Sequence, residues 1–309
     1  MNLQEYDYYI PEYLIAQKAF YPRDHCRLLI LNKDKYGQDQ CKHKKFFEII
    51  DYLEKGDVFV INETKVKICK LVGKKEFGSD VEVTLVKELG KNRFVARVKG
   101  KNPHKGVKLV FKNNSALIEK QDYDIFELQF EKEVKESDCE LLTPPYINKK
   151  IIEDEYQTVF AKKEGSLTAP TAGLRFTPEL LKEIEEKGVK IARVQSDISY
   201  ATFLPIRDIS NHKTGQEYFC VDKENARIIN SAKENLIAVG TTVVKCLESY
   251  SWKDKKILPT CETSEIFVQS GYKFRAPIKA MLTNFHLLQS SLLLLTSAYA
   301  GRERLLGAY

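Results

Sequence analysis

The 309-residue sequence predicts an α/β fold that is interrupted by a small β domain. Strand-like apolar runs alternate with helical patterns near both ends of the chain. Between residue 65 and about residue 131, short alternating runs are separated by glycines and no helical period occurs. Several short strands at this spacing are typical of an antiparallel barrel or sandwich. We therefore predict a discontinuous α/β domain over residues 1–64 and 141–309 and an inserted antiparallel β domain over residues 65–140.

The first sixty residues contain the opening strands and a helix. Residues 27–31, R-L-L-I-L, are a strand candidate, and the polar residues 32–42 form the turn after it. Apolar residues at helical spacing over residues 46–53 predict a helix that stops at Gly56. Residues 57–62, D-V-F-V-I-N, predict a buried strand. Arg23 and Asp24 precede the first strand, where they either face a site or form a surface salt bridge.

A small-residue segment follows the β domain. Residues 153–163 predict a helix, with acids first and lysines last as the helix dipole favours. Residues 166–177, S-L-T-A-P-T-A-G-L-R-F-T, then lead directly into a second helix that ends at Gly188. Thr177 and Pro178 have the character of an N-cap and a first helical residue. The segment is either a ligand-binding turn beside a helix N-terminus or a tightly packed turn.

The C-terminal third repeats the strand–turn–helix pattern. Strands are predicted over residues 189–194, 198–204, 264–268 and 279–286, and a helix capped by Asp222 is predicted between them. Residues 236–249 read as a buried strand, a Gly240 turn with Thr241 and Thr242, and a helix. This turn lacks the spacing of a dinucleotide-binding fingerprint or a Walker P-loop.

Charge and cysteine content limit the classes of function. Residues 65–112 carry twelve lysines and two arginines against four acids, whereas residues 113–160 carry five lysines against twelve acids. A segregated basic block suits a polyanionic partner, although a solvated lysine-rich surface would have the same composition. The seven scattered cysteines suggest neither a disulfide framework nor a zinc site, so we expect free thiols. The sequence shows no signal peptide and no apolar run that would span a membrane, so we expect a cytoplasmic protein.

Taken together, these stretches resemble the S-adenosylmethionine:tRNA ribosyltransferase-isomerases of queuosine synthesis. The matching motifs, in order along the chain, are D-V-F-V-I-N-E-T-K-V, P-P-Y-I, Y-Q-T-V-F-A, L-T-A-P-T-A-G-L-R-F, A-V-G-T-T-V-V-K-C-L-E-S, S-E-I-F-V, M-L-T-N-F-H-L and S-A-Y-A-G. The resemblance implies an α/β main domain of pseudo-barrel character with an inserted small antiparallel β-barrel. It also implies transfer of the ribosyl group of S-adenosylmethionine to 7-aminomethyl-7-deazaguanine at the tRNA wobble position, giving epoxyqueuosine, adenine and methionine.

The resemblance and the hydroxyl-rich turns together indicate the site residues. The acid/base candidates are Glu217, His212, His286 and Asp197. The candidates for binding S-adenosylmethionine are Thr168, Ala169, Pro170, Thr171, Gly173, Arg175, Phe176, Thr202, Gly240, Thr241, Thr242, Thr283 and Asn284. Lys99, Lys101 and Lys105 are the candidates for binding tRNA. We expect no metal and a monomer.

The chain departs from the family pattern at several site positions. Arg175 and Asp197 each stand where the family usually has histidine, and Lys245 stands where it usually has arginine. The small turn of the family is replaced by Ser199, Tyr200 and Ala201. An ion pair between Arg175 and Asp197 would compensate for the two histidines if these positions face each other. Two other functions stay open at this point: a relative that acts on a different modified base, and an inactive tRNA-binding homologue.

Overall fold

The computed structural model describes residues 3–33, 36–122, 125–144, 146–147, 149, 151–199, 206, 209, 212, 214–250, 252–253 and 256–309. The chain forms two compact units. The main unit comprises Met1–Val66 and Pro144–Tyr309, and the inserted unit comprises Lys67–Thr143. The predicted α/β class with an inserted small barrel is confirmed.

The strands account for most of the regular structure. In chain order they are β1 Arg27–Lys33, β2 Asp39–Lys45, β3 Val58–Asn62, β4 Thr64–Val66, β5 Ile68–Lys75, β6 Asp80–Gly90, β7 Arg93–Gly100, β8 Lys108–Phe111, β9 Ser115–Asp122, β10 Ile125–Phe130, β11 Glu140–Leu141, β12 Lys163–Ser166, β13 Lys190–Ser196, β14 Glu217–Val221, β15 Leu236–Val239, β16 Trp252–Lys253, β17 Lys256–Ile257, β18 Thr260–Ser264 and β19 Ile278–Leu282.

The helices are short and capped as the sequence indicates. Thr177 caps the first α-helix by accepting a hydrogen bond from the Leu180 N–H at 3.1 Å, and Asp222 caps the second in the same way. The α-helices are α1 Pro178–Glu186, α2 Lys223–Ile229, α3 Thr241–Ser249, α4 Ser291–Ala300 and α5 Arg302–Ala308. The 3₁₀-helices are Leu3–Tyr6, Glu12–Leu14, Arg23–His25, Phe46–Tyr52, Glu136–Asp138, Glu153–Tyr156 and Thr171–Arg175. In the described part of the chain, no helix has the length and apolar character needed to cross a membrane.

The main unit is built around a six-stranded mixed sheet in the order β18-β14-β13-β3-β15-β19. The four strands from β13 to β19 in this order are parallel, and β14 and β18 are antiparallel to their neighbours. All five residues of β3 are buried, because β3 lies at the centre of the sheet and both faces are covered. Val58 and Val60 pack with α2 and α3 on one face, whereas Phe59 and Ile61 pack with α1 on the other.

The inserted unit is a closed antiparallel barrel. Strands β5, β6, β7, β10, β9 and β8 pair in that order, and β8 pairs with β5 to close the sheet. Gly73 makes the closure possible: a Cβ there would lie 2.4 Å from the Val110 carbonyl oxygen and 2.6 Å from the Phe111 ring. The alternating apolar residues of the six strands fill the interior.

Several local expectations are wrong. Residues 39–42, expected to belong to a turn, lie in β2. Residues 153–163 form one 3₁₀ turn and then irregular chain, because distant groups take the hydrogen bonds that a helix would use. The Gln157 amide binds both the N–H and the carbonyl of Val66, and the backbone N–H groups of Lys162 and Lys163 donate to the Glu63 carbonyl. Residues 264–268 do not continue as a strand, because β14 begins at Glu217, opposite Ser264, and the pairing ends there.

Another wrong expectation concerns the cysteines. Cys220 and Cys261 face each other on the neighbouring strands β14 and β18 with their Cα atoms 4.0 Å apart, and they form a disulfide. The expectation of free thiols is therefore wrong for these two residues. The other five cysteines are free.

The predicted strand over residues 198–204 falls mostly outside the described residues. Ile198 and Ser199, which are described, are not in a strand.

Candidate active site

The carboxyl ends of the parallel strands place polar residues along one edge of the main sheet. In open α/β sheets, ligands bind at this edge. They bind at the point where the strands that follow in the chain lie on opposite sides of a central strand. Here β13 and β15 lie on opposite sides of β3. The polar residues that follow these strands, together with those after β19, are Asn62, Glu63, Thr64, Asp197, Thr241, Thr242, Thr283, Asn284 and His286.

Backbone and amide hydrogen bonds bring the small-residue segment onto this edge. The Leu167 N–H donates to the Ile198 carbonyl at 3.1 Å, which anchors the beginning of the segment. The Asn284 amide donates to the Thr171 hydroxyl at 2.7 Å, and so joins the segment to the end of β19. Two motifs that lie 113 residues apart in the sequence therefore form one surface.

The Gly240 turn supports the same segment. Gly240 has φ +99°, a conformation that side-chain-bearing residues rarely adopt. A Cβ at this position would lie 3.7 Å from the Cβ of Ala172, so the turn and the segment are packed closely. The turn also starts α3, in which Thr241 and Thr242 are buried.

A cavity of about 640 Å³ opens beside this edge, within the main unit. Four of the residues that the sequence indicates line it: Thr171, Arg175, Asn284 and His286. A volume of this size is in the usual range of small-molecule sites, roughly 300–1,000 Å³. Thr168, Ala169, Pro170 and Gly173 belong to the segment behind this wall, and Thr283 precedes Asn284 at the end of β19.

Most of the remaining cavity wall comes from parts of the chain that the sequence analysis did not assign to the site. Residues of the N-terminal segment and of the chain after the barrel supply it: Tyr8, Ile10, Leu14, Ile15, Ala16, Gln17, Lys18, Ala19, Phe20, Arg23, Cys26, Pro144, Tyr146, Ile147, Ile151, Glu155 and Tyr156. The sequence leaves open whether Arg23 faces a site or forms a surface salt bridge, and in the structure it lines the cavity. Its guanidinium also holds the wall together, because it donates to the carbonyls of Asp154 and Gln157.

The cavity is mainly apolar and aromatic with a cationic character. Lys18, Arg23 and Arg175 line it, and Glu155 is the one carboxylate among the described lining residues. The Arg175 guanidinium donates to the Thr171 carbonyl at 2.7 Å and lies beside Cys26. Burial raises the pKa of the Cys26 thiol, and the nearby Arg175 charge opposes that rise. Among the described residues, no three His, Cys, Asp or Glu side chains are grouped as a metal site would require.

His286 is held rigidly at the cavity wall. The backbone N–H of His286 donates to the Tyr309 hydroxyl at 3.2 Å, and its backbone carbonyl accepts a hydrogen bond from the Tyr8 hydroxyl. Its Nε2 lies 3.1 Å from the Thr283 hydroxyl. Burial lowers the pKa of His286 to about 4, so the imidazole is neutral near pH 7.

Glu217 and Asp197 are occupied by partners inside the protein. The Glu217 carboxylate forms a buried ion pair with Lys245 of α3. Asp197 accepts hydrogen bonds from the Thr64 hydroxyl at 2.7 Å and from the Gln195 amide at 3.1 Å. No ion pair among the described residues joins Asp197 to Arg175, so the proposed compensation between these two positions does not occur.

The other candidates take different places. The His212 ring packs on Phe267 with ring centroids 5.2 Å apart, and burial lowers its pKa. The Phe176 ring is fully buried among Phe46, Phe59 and Phe160, so it packs in the core instead of facing the cavity. Thr202 lies outside the described residues, as do Tyr200 and Ala201. Lys99, Lys101 and Lys105 belong to the inserted unit.

Several hydroxyls at the sheet edge have capacity for a ligand or water. The buried hydroxyls of Thr168, Ser196, Ser199 and Thr242 have no hydrogen-bond partner among the described residues.

Comparison with known proteins decides the family. The model of the queuosine biosynthesis protein family matches residues 3–309. The chain belongs to this family. Relatives in the queuosine family include the S-adenosylmethionine:tRNA ribosyltransferase-isomerases of Pelotomaculum thermopropionicum, at 39% identity over 325 residues, and of a Sulfurihydrogenibium species, at 41% over 326 residues. Each alignment covers 100% of this chain and 94% of the relative.

A solved structure within the queuosine family agrees with this assignment. The S-adenosylmethionine tRNA ribosyltransferase of Thermotoga maritima is 29% identical and superposes with a TM-score of 0.54. The match covers 99% of this chain and 93% of the solved one. The family resemblance inferred from the motifs is therefore confirmed, and the match extends over the barrel as well as the main sheet.

Proposed function

We propose that this chain transfers the ribosyl group of S-adenosylmethionine to 7-aminomethyl-7-deazaguanine in tRNA and isomerises it, giving epoxyqueuosine, adenine and methionine. Its full-length relatives carry the name of this activity. The observation that carries the proposal is the joining of two motifs at one cavity: the Asn284 amide binds the Thr171 hydroxyl where Arg175 and His286 also face the cavity.

The cavity suits the chemical groups of S-adenosylmethionine. We assign the Arg175 guanidinium to the carboxylate of the methionine moiety, because guanidinium groups bind carboxylates through paired N–H donors. Thr171 and Asn284 lie beside Arg175 and offer a hydroxyl and an amide to the ribose. The aromatic rings of Tyr146 and Phe285 in the wall favour the sulfonium cation, which aromatic faces attract.

The reaction requires a base and a group that stabilises the departing adenine. The sulfonium acidifies the C5′ protons of the ribose, so a base removes one of them. Adenine leaves from C1′ with its bonding electrons and needs a hydrogen-bond donor or a proton at a ring nitrogen. The amine of the modified base forms the new bond to C1′ and must be held in line with it.

Glu155 and His286 are the groups that the cavity best places for these roles. Glu155 is a carboxylate on the wall, and His286 is a neutral imidazole with a fixed orientation. We propose Glu155 as the base and His286 as a hydrogen-bonding partner of the substrate. Glu217 and Asp197 then act as positioning residues, since Lys245, Thr64 and Gln195 already bind their carboxylates. His212 is proposed to have no direct part.

One experiment tests the proposed reaction. We propose that the protein acts as a monomer. The purified protein is incubated with S-adenosylmethionine and tRNA that carries 7-aminomethyl-7-deazaguanine. Free adenine and the mass of the digested nucleoside are followed, with unmodified tRNA as the control. Adenine release together with an epoxycyclopentanediol-bearing nucleoside is expected. Adenine with a different added mass would indicate another acceptor base, and the absence of adenine would contradict the proposal.

A further inference from the structure

Phe77 is an aromatic ring held in solvent at the tip of a hairpin in the inserted unit. It lies between β5 and β6 and is 95% exposed. The turn around it is tightly hydrogen-bonded: the Lys75 N–H donates to the Ser79 carbonyl at 2.8 Å, and the Gly78 N–H donates to the Lys75 carbonyl at 2.9 Å. Burial of a phenylalanine side chain stabilises a fold, because it removes apolar surface from water. A phenylalanine side chain that stays exposed to water contributes little to the stability of the fold.

Lysines occur in the hairpin and in the loop beside it. The Lys75 ammonium donates to the carbonyls of Lys101 and Asn102, which fixes the loop between β7 and β8 beside the hairpin. That loop contributes the exposed side chains of Lys101 and Lys105. The turn is also hydrogen-bonded to β8, because the backbone N–H of Glu76 donates to the Lys108 carbonyl at 3.1 Å. An exposed aromatic ring and two exposed lysines therefore lie on loops that are hydrogen-bonded to each other at one end of the barrel.

The hairpin tip lies at the end of the barrel farthest from the connections to the rest of the chain. The inserted unit begins at Lys67 and ends at Thr143. Strand β5 runs from Ile68 at that end to Lys75 at the tip, and β11 pairs with Lys70 and Ile68 near the connections. The Leu89 side chain, also exposed, lies near the β6–β7 turn at the end of the connections.

We propose that Phe77 stacks on an unpaired base of the tRNA while Lys101 and Lys105 contact the adjoining phosphates. Proteins that bind single-stranded RNA combine aromatic platforms for bases with cationic groups for the backbone. Charge complementarity favours RNA as the partner, because the exposed lysines Lys101 and Lys105 would face its negatively charged phosphates. They lie at the same end of the barrel as the Phe77 ring. The inference rests on the proposed function, which makes tRNA the substrate.

Binding of fluorescently labelled tRNA, measured by anisotropy at several salt concentrations, tests the stacking contact. Phe77→Ala is expected to weaken binding by about 5- to 150-fold, the usual effect of losing one base stack. The slope of log affinity against log salt stays unchanged, since no phosphate contact is lost. Lys101→Ala and Lys105→Ala are expected to reduce that slope by about one unit each. Leu89→Ala, the matched control on the same barrel, leaves the affinity unchanged.

A second variant separates stacking from a structural role. Phe77→Trp should retain wild-type affinity, and its added fluorescence, above that of Trp252, should be quenched when tRNA binds. Equal affinity of Phe77→Ala and wild type, or an unquenched Trp at position 77, would overturn the proposal. Adenine release is measured in parallel, so that failure of the reaction is distinguished from failure of this contact: tRNA binding that depends on Phe77 without adenine release contradicts only the proposed function.

Discussion

Glu217 and Lys245 form an ion pair in the interior of the main unit, although 28 residues separate them in the sequence. Glu217 begins β14 and is 2% exposed, and Lys245 lies in α3 and is 7% exposed. The pair therefore links the antiparallel part of the sheet to the helix that starts at the Gly240 turn.

Removing the cation should destabilise the fold strongly. Lys245→Met removes the ammonium group that pairs with the buried Glu217 carboxylate, and we expect a loss of about 3–5 kcal/mol in the free energy of unfolding in urea. The double variant Glu217→Gln/Lys245→Met should recover most of that loss. Lys182→Ala, which breaks an exposed pair with Glu186, is the control and should change stability by less than about 1 kcal/mol. Wild-type stability of Lys245→Met would contradict this interpretation.

Phe176 is expected to matter for stability and not for substrate binding. Its fully buried ring contacts Phe46 at 5.1 Å between ring centroids, so Phe176→Ala should cost about 3–5 kcal/mol. The KM for S-adenosylmethionine of the fraction that remains folded should equal that of the wild type. Tyr9→Ala, at an 87% exposed ring, serves as the comparison and should leave the unfolding midpoint in place. A raised KM for S-adenosylmethionine together with wild-type stability of Phe176→Ala would indicate that Phe176 contacts the substrate.

The hydrogen bond between Asn284 and Thr171 should be visible in a double-mutant cycle. Asn284→Leu and Thr171→Val each remove one partner, and each should lower kcat/KM for adenine release by about 2- to 13-fold, as expected for a bond of roughly 0.5–1.5 kcal/mol. Because the two groups bind each other, the double variant should lose less than the product of the single losses. Fully multiplicative losses would mean that the two side chains act independently.

Arg175 should recognise the carboxylate of S-adenosylmethionine. Arg175→Met is expected to raise the KM by about 10- to 150-fold, the range for a lost charge-assisted hydrogen bond of roughly 1.5–3 kcal/mol. An S-adenosylmethionine analogue whose carboxylate is reduced to an alcohol provides the control. The variant and the wild type should use this analogue equally well, and a continued preference of the wild type would place Arg175 elsewhere on the substrate.

His286 should make stability depend on pH. Its pKa is lowered by burial from 6.5 to about 4, so the unfolded chain binds more protons than the folded one between these values. Stability from this group is fully present above about pH 6.5 and is lost as the pH falls through about 4. The total approaches about 3 kcal/mol. His286→Gln should be less sensitive to acid than the wild type when unfolding is measured between pH 7 and 4.5, and parallel curves would contradict a buried neutral imidazole.

Local signals in the sequence predicted much of the main unit. The Thr177–Pro178 helix start, the Asp222 cap and the Gly240 turn were all identified correctly, because a cap or a tight turn depends on residues within a few positions of each other. Alternation of apolar residues predicted the barrel strands for the same reason. The helix predicted at residues 153–163 failed because Gln157 and Arg23 form hydrogen bonds with distant parts of the chain.

The cavity needed the tertiary structure. The sequence by itself established the family, the motifs and four cavity residues, Thr171, Arg175, Asn284 and His286. It did not reveal that the N-terminal segment forms part of the cavity wall or that Glu155 lines the same cavity, since neither carries a periodic or capping signal. The pairing of Glu217 with Lys245 was hidden for a similar reason. Such contacts depend on how strands and helices pack across the chain, and local residue patterns do not encode those distances.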